Sequence, residues 1–440
     1  PASRLGREIA RLHDWAQDTD TGDRDDLPRG VSDAAWRQVS VTSRECLGQL
    51  CPEFSECFAE LARQEAGRAD VVVTNHALLA IDAMTDVSVL PEHDAVVIDE
   101  AHELSDRVTG VTTAELTGAA VIQAARRAAK LVDQQTADRM IAAGEGLAGL
   151  LEVCPEGRWD LLPEGADLAL AAVRQTAENC RSAVPGPKPG EVANDPQGAS
   201  DRQKTLAALD EIADAADRML GSFDRPVAER LEIVWMNVEE RRGRILRVAP
   251  LSVAGLLRAR LFAESTVVLT SATLTTGGKF DGLAASWGLP PASSARPDTS
   301  TAVSLEPPSD TDAGDLRWTG LDAGSPFDYR RNGILYVAAH LPPPGRDGPS
   351  PEAEQELVDL IAAAGGRTLG LFSSMRAART AAELLRDHLD TPVLCQGEDS
   401  TANLVSQFAA DEETTLVGTL SLWQGVDVPG KSLSLVVIDR

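Results

Sequence analysis

Asp99 and Glu100 stand side by side at the end of an apolar run, AVVI at 95–98, and His102 follows in the string DEAH. A buried strand that ends in two carboxylates delivers them to the C-terminal edge of a sheet, where open α/β sheets bind ligands. Phosphoryl transfer uses such a pair: one carboxylate holds the Mg2+ shell and its neighbour orients or deprotonates the attacking water. Asp99 takes the metal role in this reading and Glu100 the water role, with His102 placed to sense a neighbouring site. A bare acid pair is ordinarily a solvated strand end; the complete DEAH string behind an apolar strand favours a site. A zinc-protease reading fails, because Asp106 stands where HExxH needs its second histidine.

Cys46, Cys51 and Cys57 are spaced C-x4-C-x5-C. Iron–sulfur clusters need converging thiolates, usually four, and zinc sites favour closer pairs that this spacing meets only at the margin. Three free core cysteines remain the alternative. Cys154, Cys180 and Cys395 fall in helical or strand settings and read as small buried hydrophobes. In VVLTSATLTTGG, at 267–278, an apolar strand runs into the hydroxyls of Thr270, Ser271 and Thr273, which are able to hydrogen-bond the acid pair. GVDVPGKS, at 425–432, formally matches a phosphate-binding loop. The physics opposes that: Asp427 puts a negative charge inside an anion nest, Pro429 has no N–H to donate, and an apolar strand follows Lys431 where a helix N-terminus is needed. The better reading is a loop at a strand end, with Gln424 and Asp427 projecting toward a cleft.

The elements that must hold these groups alternate. Apolar strands are expected at 70–75, 94–98 and 266–270, and an Ala-rich helical region at 112–182. A Pro/Gly-rich loop at 184–198 separates it from a helix at 201–220, and residues 230–238 and 244–248 alternate like paired strands. Residues 290–320 are rich in Pro, Ser and Asp and read as a boundary. Beyond them come strands at 333–337, 368–372, 393–395, 414–420 and 434–439, with helices at 351–364, 375–389 and 401–410 between. Strand–helix alternation implies a parallel sheet with helices on its faces.

The 440 residues suggest about three domains at roughly 150 each. With 43% hydrophobic residues a core is affordable, and global disorder is excluded. No apolar run reaches the ~18 residues of a membrane span, six cysteines are too few for a secreted disulfide scaffold, and no secretion leader is visible, so the expected location is the cytoplasm. A net charge of −27 repels nucleic acid on average. It does not exclude a local basic groove, and Arg241, Arg242, Arg244, Arg247, Arg258 and Arg260 cluster; an ordinary solvated face is the simpler reading. Arg126, Arg127 and Lys130 form a second basic group. Pro1 in place of an initiator Met, and LSLVVIDR as a strand cut at its end, suggest a fragment.

Taken together, these strings resemble the iron–sulfur superfamily 2 helicases of the XPD/DinG type, and DinG most. DEAH at 99–102 is similar to helicase motif II, TSAT at 270–273 to motif III, LGLFSSMRAA at 369–378 to motif IV and GTLSLWQGVDVPG at 418–430 to motif V. VVVTNHALL at 71–79 and GSPFDY at 324–329 also look like DinG strings. The resemblance implies an α/β fold of two RecA-like parallel-sheet helicase domains, the first partial, with an inserted iron–sulfur region and a helical Arch domain. The limits it implies are an iron–sulfur region at 1–66, a helicase domain 1 segment at 67–108, the Arch at 109–247, the return of domain 1 at 248–295 and helicase domain 2 at 296–440.

By the same resemblance the activity is ATP-dependent 5′-to-3′ movement on single-stranded or forked DNA, by a monomer. Asp99 binds Mg2+ and Glu100 activates water. His102, Ser271, Ala272 and Thr273 couple ATP to DNA, while Gln424, Gly425 and Asp427 face nucleotide or strand across a cleft. Cys46, Cys51 and Cys57 match the last three ligands of a 4Fe-4S cluster. The family's Walker A lysine, first cluster cysteine and motif VI have no counterpart in this sequence, so a chain of this extent is expected to be inactive alone. Two other classes stay open: a non-hydrolysing iron–sulfur module that binds single-stranded DNA, and an inert assembly subunit.

Overall fold

The computed structural model describes residues 3–27, 30–84, 89–186, 192, 194–239, 242–291, 316–342, 348–423 and 426–439. These form two compact units, one of residues 40–322 and one of residues 1–39 with 323–440. The expected α/β class with parallel sheets is found, consistent with RecA-like domains.

In the first unit β1 (Ala95–Ile98) pairs in parallel with β6 (Thr266–Leu269), in the register Ala95↔Thr266 to Ile98↔Leu269. Ile98, Leu104, Val253, Leu257 and Trp287 close the core beneath this pair. The chain between the two strands forms a separate layer. An antiparallel sheet of order β2-β5-β4-β3 comprises β2 (Ala114–Leu116), β3 (Gly157–Arg158), β4 (Glu232–Glu239) and β5 (Gly243–Pro250). It packs with helices Gly118–Ala128, Gln134–Val153, Ala166–Ala183 and Pro196–Ser222 through Leu116, Met140, Leu170, Met219 and Leu246. The small residues of this region let helices approach closely. A Cβ on Gly118 would lie 2.6 Å from Ala148 Cβ, and one on Gly144 would lie 2.8 Å from Ile122 Cγ1.

Three arginines of the cluster, Arg242, Arg244 and Arg247, are engaged in ion pairs. Arg247 bridges Glu115 and Glu239 at 2.7 and 2.6 Å, Arg242 also reaches Glu115, and Arg244 meets Glu152 at 3.3 Å. Burial pushes the Glu115 carboxyl up, but the two guanidinium groups outweigh it and its pKa falls below the ordinary value. Arg241 lies outside the described residues.

In the second unit β7 (Thr368–Phe372), β8 (Val393–Cys395), β9 (Thr415–Thr419) and β10 (Leu435–Ile438) form one all-parallel sheet of order β10-β7-β9-β8. Every residue of β7 is buried, as a strand covered on both faces requires. One face packs on Val358, Ile361, Ala378 and Leu385, the other on Leu404, Phe408, Leu422 and Val428. Helices Pro351–Ala364, Met375–His388 and Thr401–Ala410 each open on a serine, Ser350, Ser374 and Ser400, whose hydroxyl accepts a first-turn N–H; such a cap contributes about 1 kcal/mol. Helices Arg4–Asp18 and Asp33–Val39 enclose a small core of Leu12, Leu27 and Ala35.

Two expected strands are absent. Residues 71–75 are coil, with Val71 79% and Val73 92% exposed, and residues 333–337 are coil, with Ile334 97% exposed. Runs of β-branched residues suit a strand, but a strand exists only where its backbone finds a ladder. The first sheet pairs only β1 with β6 and the second ends at β10, so among the described residues neither run joins a ladder. No described helix is long and apolar enough to cross a membrane.

Candidate active site at the end of the first parallel pair

The ladder of β1 and β6 continues past both strands. Thr270 N donates to Ile98 O at 2.8 Å and Ala101 N donates to Thr270 O at 3.0 Å. Two segments 171 positions apart in sequence are thereby stitched together, with Asp99–His102 on one side and Thr270–Thr273 on the other. Ala101 and Leu104 are fully buried and anchor the turn that carries the acids. Glu100, just before Ala101, has φ 47° and ψ 42°, in the left-handed region. A non-glycine residue held there costs roughly 1–3 kcal/mol and is characteristic of functional sites.

Ser271 is the hub. Its Oγ donates to Glu100 Oε2 at 2.9 Å and lies 2.8 Å from His102 Nδ1. A hydroxyl has one proton, and the carboxylate can only accept it. His102 must therefore donate to Ser271, so Nδ1 carries a proton. Thr273 N also donates to Ser271 Oγ, at 3.3 Å, and Thr273 Oγ1 lies 3.3 Å from it. Glu100 Oε2 and His102 Nδ1 are themselves 3.3 Å apart. Thus Glu100, His102, Ser271 and Thr273 are brought together, and Ala272 is exposed beside them.

Asp99 is exposed and uses one oxygen to accept Glu100 N at 2.9 Å. A hard carboxylate oxygen at a strand end suits Mg2+, which takes one or two carboxylates and completes its shell from phosphate and water. His76, the first residue of helix His76–Met84, donates from Nε2 to the Asp99 carbonyl at 2.7 Å. It ties the turn to a neighbouring helix, and no spacing rule singles it out, since a histidine that opens a helix carries no pattern of its own.

Of the loop between β9 and β10, Gln424 and Gly425 lie outside the described residues, and Asp427 is exposed. Ser432 is turned inward, 6% exposed, and donates to Ala409 O at 3.0 Å. With β10 following, GKS at 430–432 is no phosphate cradle.

Cys46, Cys51 and Cys57 share one loop built of 3-10 turns at Gly48–Leu50 and Phe54–Glu56, and all three are half-buried. Among the described residues no three His, Cys, Asp or Glu side chains are arranged to hold a metal ion, so the loop presents no gathered ligand set. Cys154, Cys180 and Cys395 are buried, and burial pushes each thiol up.

A family model described as "Helicase C-terminal domain" matches residues 357–440. The chain is 53% identical over 442 residues to "ATP-dependent helicase DinG" of Mycobacterium tuberculosis (strain ATCC 25618 / H37Rv), covering 99% of this chain and 62% of that protein. It is 29% identical over 465 residues to "ATP-dependent DNA helicase YoaA" of Escherichia coli (strain K12), covering 98% of this chain and 65% of that protein. The chain therefore spans less than two thirds of the length of these relatives. Among solved structures, "XPD_Helicase" aligns at 13% identity with a TM-score of 0.42, over 82% of this chain and 57% of that one.

Proposed function

With a chain of the DinG/XPD type of superfamily 2 helicase as the premise, we propose that it forms part of an ATP-dependent DNA helicase that moves 5′-to-3′ on single-stranded or forked DNA. The observation that carries the proposal is the Ser271 hydroxyl, which joins Glu100 to His102 across two separate stretches of chain. An acid pair kept only for solubility has no use for that bridge. In this reading the Glu100 carboxylate orients and deprotonates the attacking water. His102 and Thr273 hold Ser271 so that the Glu100 oxygen keeps one direction. Asp99 would hold Mg2+, which supplies charge neutralisation on the phosphate oxygens. Gln424, Gly425 and Asp427 are assigned to contacts with nucleotide or strand. The five domain limits given above are retained as part of the proposal.

The test is ATP hydrolysis by the full-length protein. Single-stranded DNA is expected to raise the rate, and a duplex with a 5′ single-stranded tail to be opened in preference to one with a 3′ tail. DNA binding with no hydrolysis would favour the non-hydrolysing module instead.

We further propose Cys46, Cys51 and Cys57 as ligands of a 4Fe-4S cluster. The support is the spacing and the placement of all three on one accessible loop, in contrast to the three buried cysteines. Metal sites commonly assemble only as the metal binds. The full-length protein is expected to purify brown with about four iron atoms per chain, and Cys51→Ser to lose both colour and iron. One zinc per chain in place of the iron would overturn the assignment.

A further inference from the structure

Gln396 lies one residue beyond β8, and its backbone N–H donates to Val417 O at 2.9 Å, which extends the β8–β9 ladder by one step. Its side chain then reaches past the end of the sheet. Oε1 accepts from Thr419 N at 2.8 Å and from Thr419 Oγ1 at 3.1 Å, and Nε2 donates to Ser421 Oγ at 3.0 Å. The two hydroxyls are 2.7 Å from each other. Both acceptor positions of the amide and one of its two N–H groups are engaged.

The approach depends on Gly418. A Cβ there would lie 2.7 Å from Gln396 Oε1 and 2.4 Å from Leu422 Cδ1. Gln396 is itself held by a tight turn. Glu398 Oε2 accepts from Cys395 N at 3.0 Å and from Arg386 Nη2 at 2.8 Å, Arg386 also donates to Val393 O at 2.7 Å, and Gly397 takes φ 91°. Just downstream, Leu422 and Val428 are buried together with Leu404 and Phe408. Residues 419–423 are therefore held by an amide at their start and by the buried Leu422, Val428 is buried farther on, and Trp423 and Asp427 are exposed.

We propose that Gln396 is a positioning residue that fixes where the chain leading from Thr419 toward Asp427 leaves the sheet. β9 is already paired on both sides, with β7 and β8, so these side-chain bonds add little to the sheet; they act on the residues after it. The inference rests on the reading of that loop as part of the ATP and DNA machinery.

The experiment uses the full-length protein with Gln396→Met, which keeps the length and loses the bonds, and Gln396→Glu, whose carboxylate still accepts from Thr419 N and Thr419 Oγ1 and accepts from Ser421 Oγ where the amide donated to it. Amide hydrogen exchange without nucleotide or DNA is read first. Gln396→Met is expected to speed exchange across 419–422 about tenfold while 415–417 keep their protection, and Gln396→Glu to restore it. In turnover, Gln396→Met is expected to lower DNA-stimulated kcat by a similar factor with the KM for ATP unchanged, and Gln396→Glu to recover most of it. If Gln396→Met fails to fold, Ser421→Ala, at an exposed position, removes the Nε2 bond and gives the same exchange test. Unchanged exchange at 419–422 overturns the proposal, and so does loosened exchange with kcat intact. A wild-type protein without ATPase activity strikes the functional reading above, and the exchange measurement then decides on Gln396 alone.

Discussion

Glu100→Gln in the full-length protein is expected to lower ATP turnover by about 10²–10⁴-fold, the usual contribution of a positioned general base, while nucleotide binding is retained. The substitution is nearly isosteric. The amide oxygen still accepts from Ser271 Oγ, now 2.9 Å from Glu100 Oε2, and the turn anchored by Ala101 and Leu104 is untouched. What is lost is the negative charge and the ability to take a proton from water. Because Glu100 acts on water rather than on ATP, the loss falls on kcat. Steady-state ATPase kinetics with DNA, beside a direct nucleotide-binding measurement, separate the two. Turnover within a factor of two of wild type would remove Glu100 from its role.

What the amino-acid order discloses differs between the two units for a physical reason. In the second unit β7 and β8 and the Thr401–Ala410 helix fall where the alternation of strand and helix patterns places them. There, local propensity and the demands of a sheet covered on both faces agree. Val71–Val73 and Ile334–Val337 show the opposite case. Their side chains suit a strand, but pairing is a long-range property, and no local pattern states whether a partner backbone arrives. The site is legible in the same uneven way. Asp99, Glu100 and Ser271 stand out by type and by their place behind apolar runs. The left-handed backbone at Glu100, the His76 bond to the Asp99 carbonyl and the proton on His102 Nδ1 do not. Each depends on which atoms meet across more than 20 residues of sequence. The cysteines mark the remaining gap: their spacing suggests a ligand set, and the described loop does not gather one.

Ser271→Ala tests the hydrogen bond between a rim hydroxyl and the acid pair that the sequence already suggests. The hydroxyl gives its proton to Glu100 and receives one from His102 and one from Thr273 N. Alanine removes all three bonds at once. Glu100 loses its donor, and His102 Nδ1, 3.3 Å from Glu100 Oε2, becomes free to close on the carboxylate directly. That contact draws the carboxylate toward the histidine and away from the direction in which it must hold water. Hydrogen bonds to a charged group contribute about 1.5–3 kcal/mol, so DNA-stimulated kcat is expected to fall by roughly 10–100-fold, at 1.4 kcal/mol per factor of ten. The rate without DNA should fall less, because the bridge is assigned to coupling as well as to orientation. Ser271→Thr keeps a hydroxyl and should retain most of the activity. The residue is only partly buried at the sheet rim, so the unfolding temperature of Ser271→Ala should remain close to that of wild type. A full-length Ser271→Ala protein with undiminished DNA stimulation would show that Glu100 and His102 act without the bridge, and the coupling role would pass to Thr273 or to the loop of the second unit.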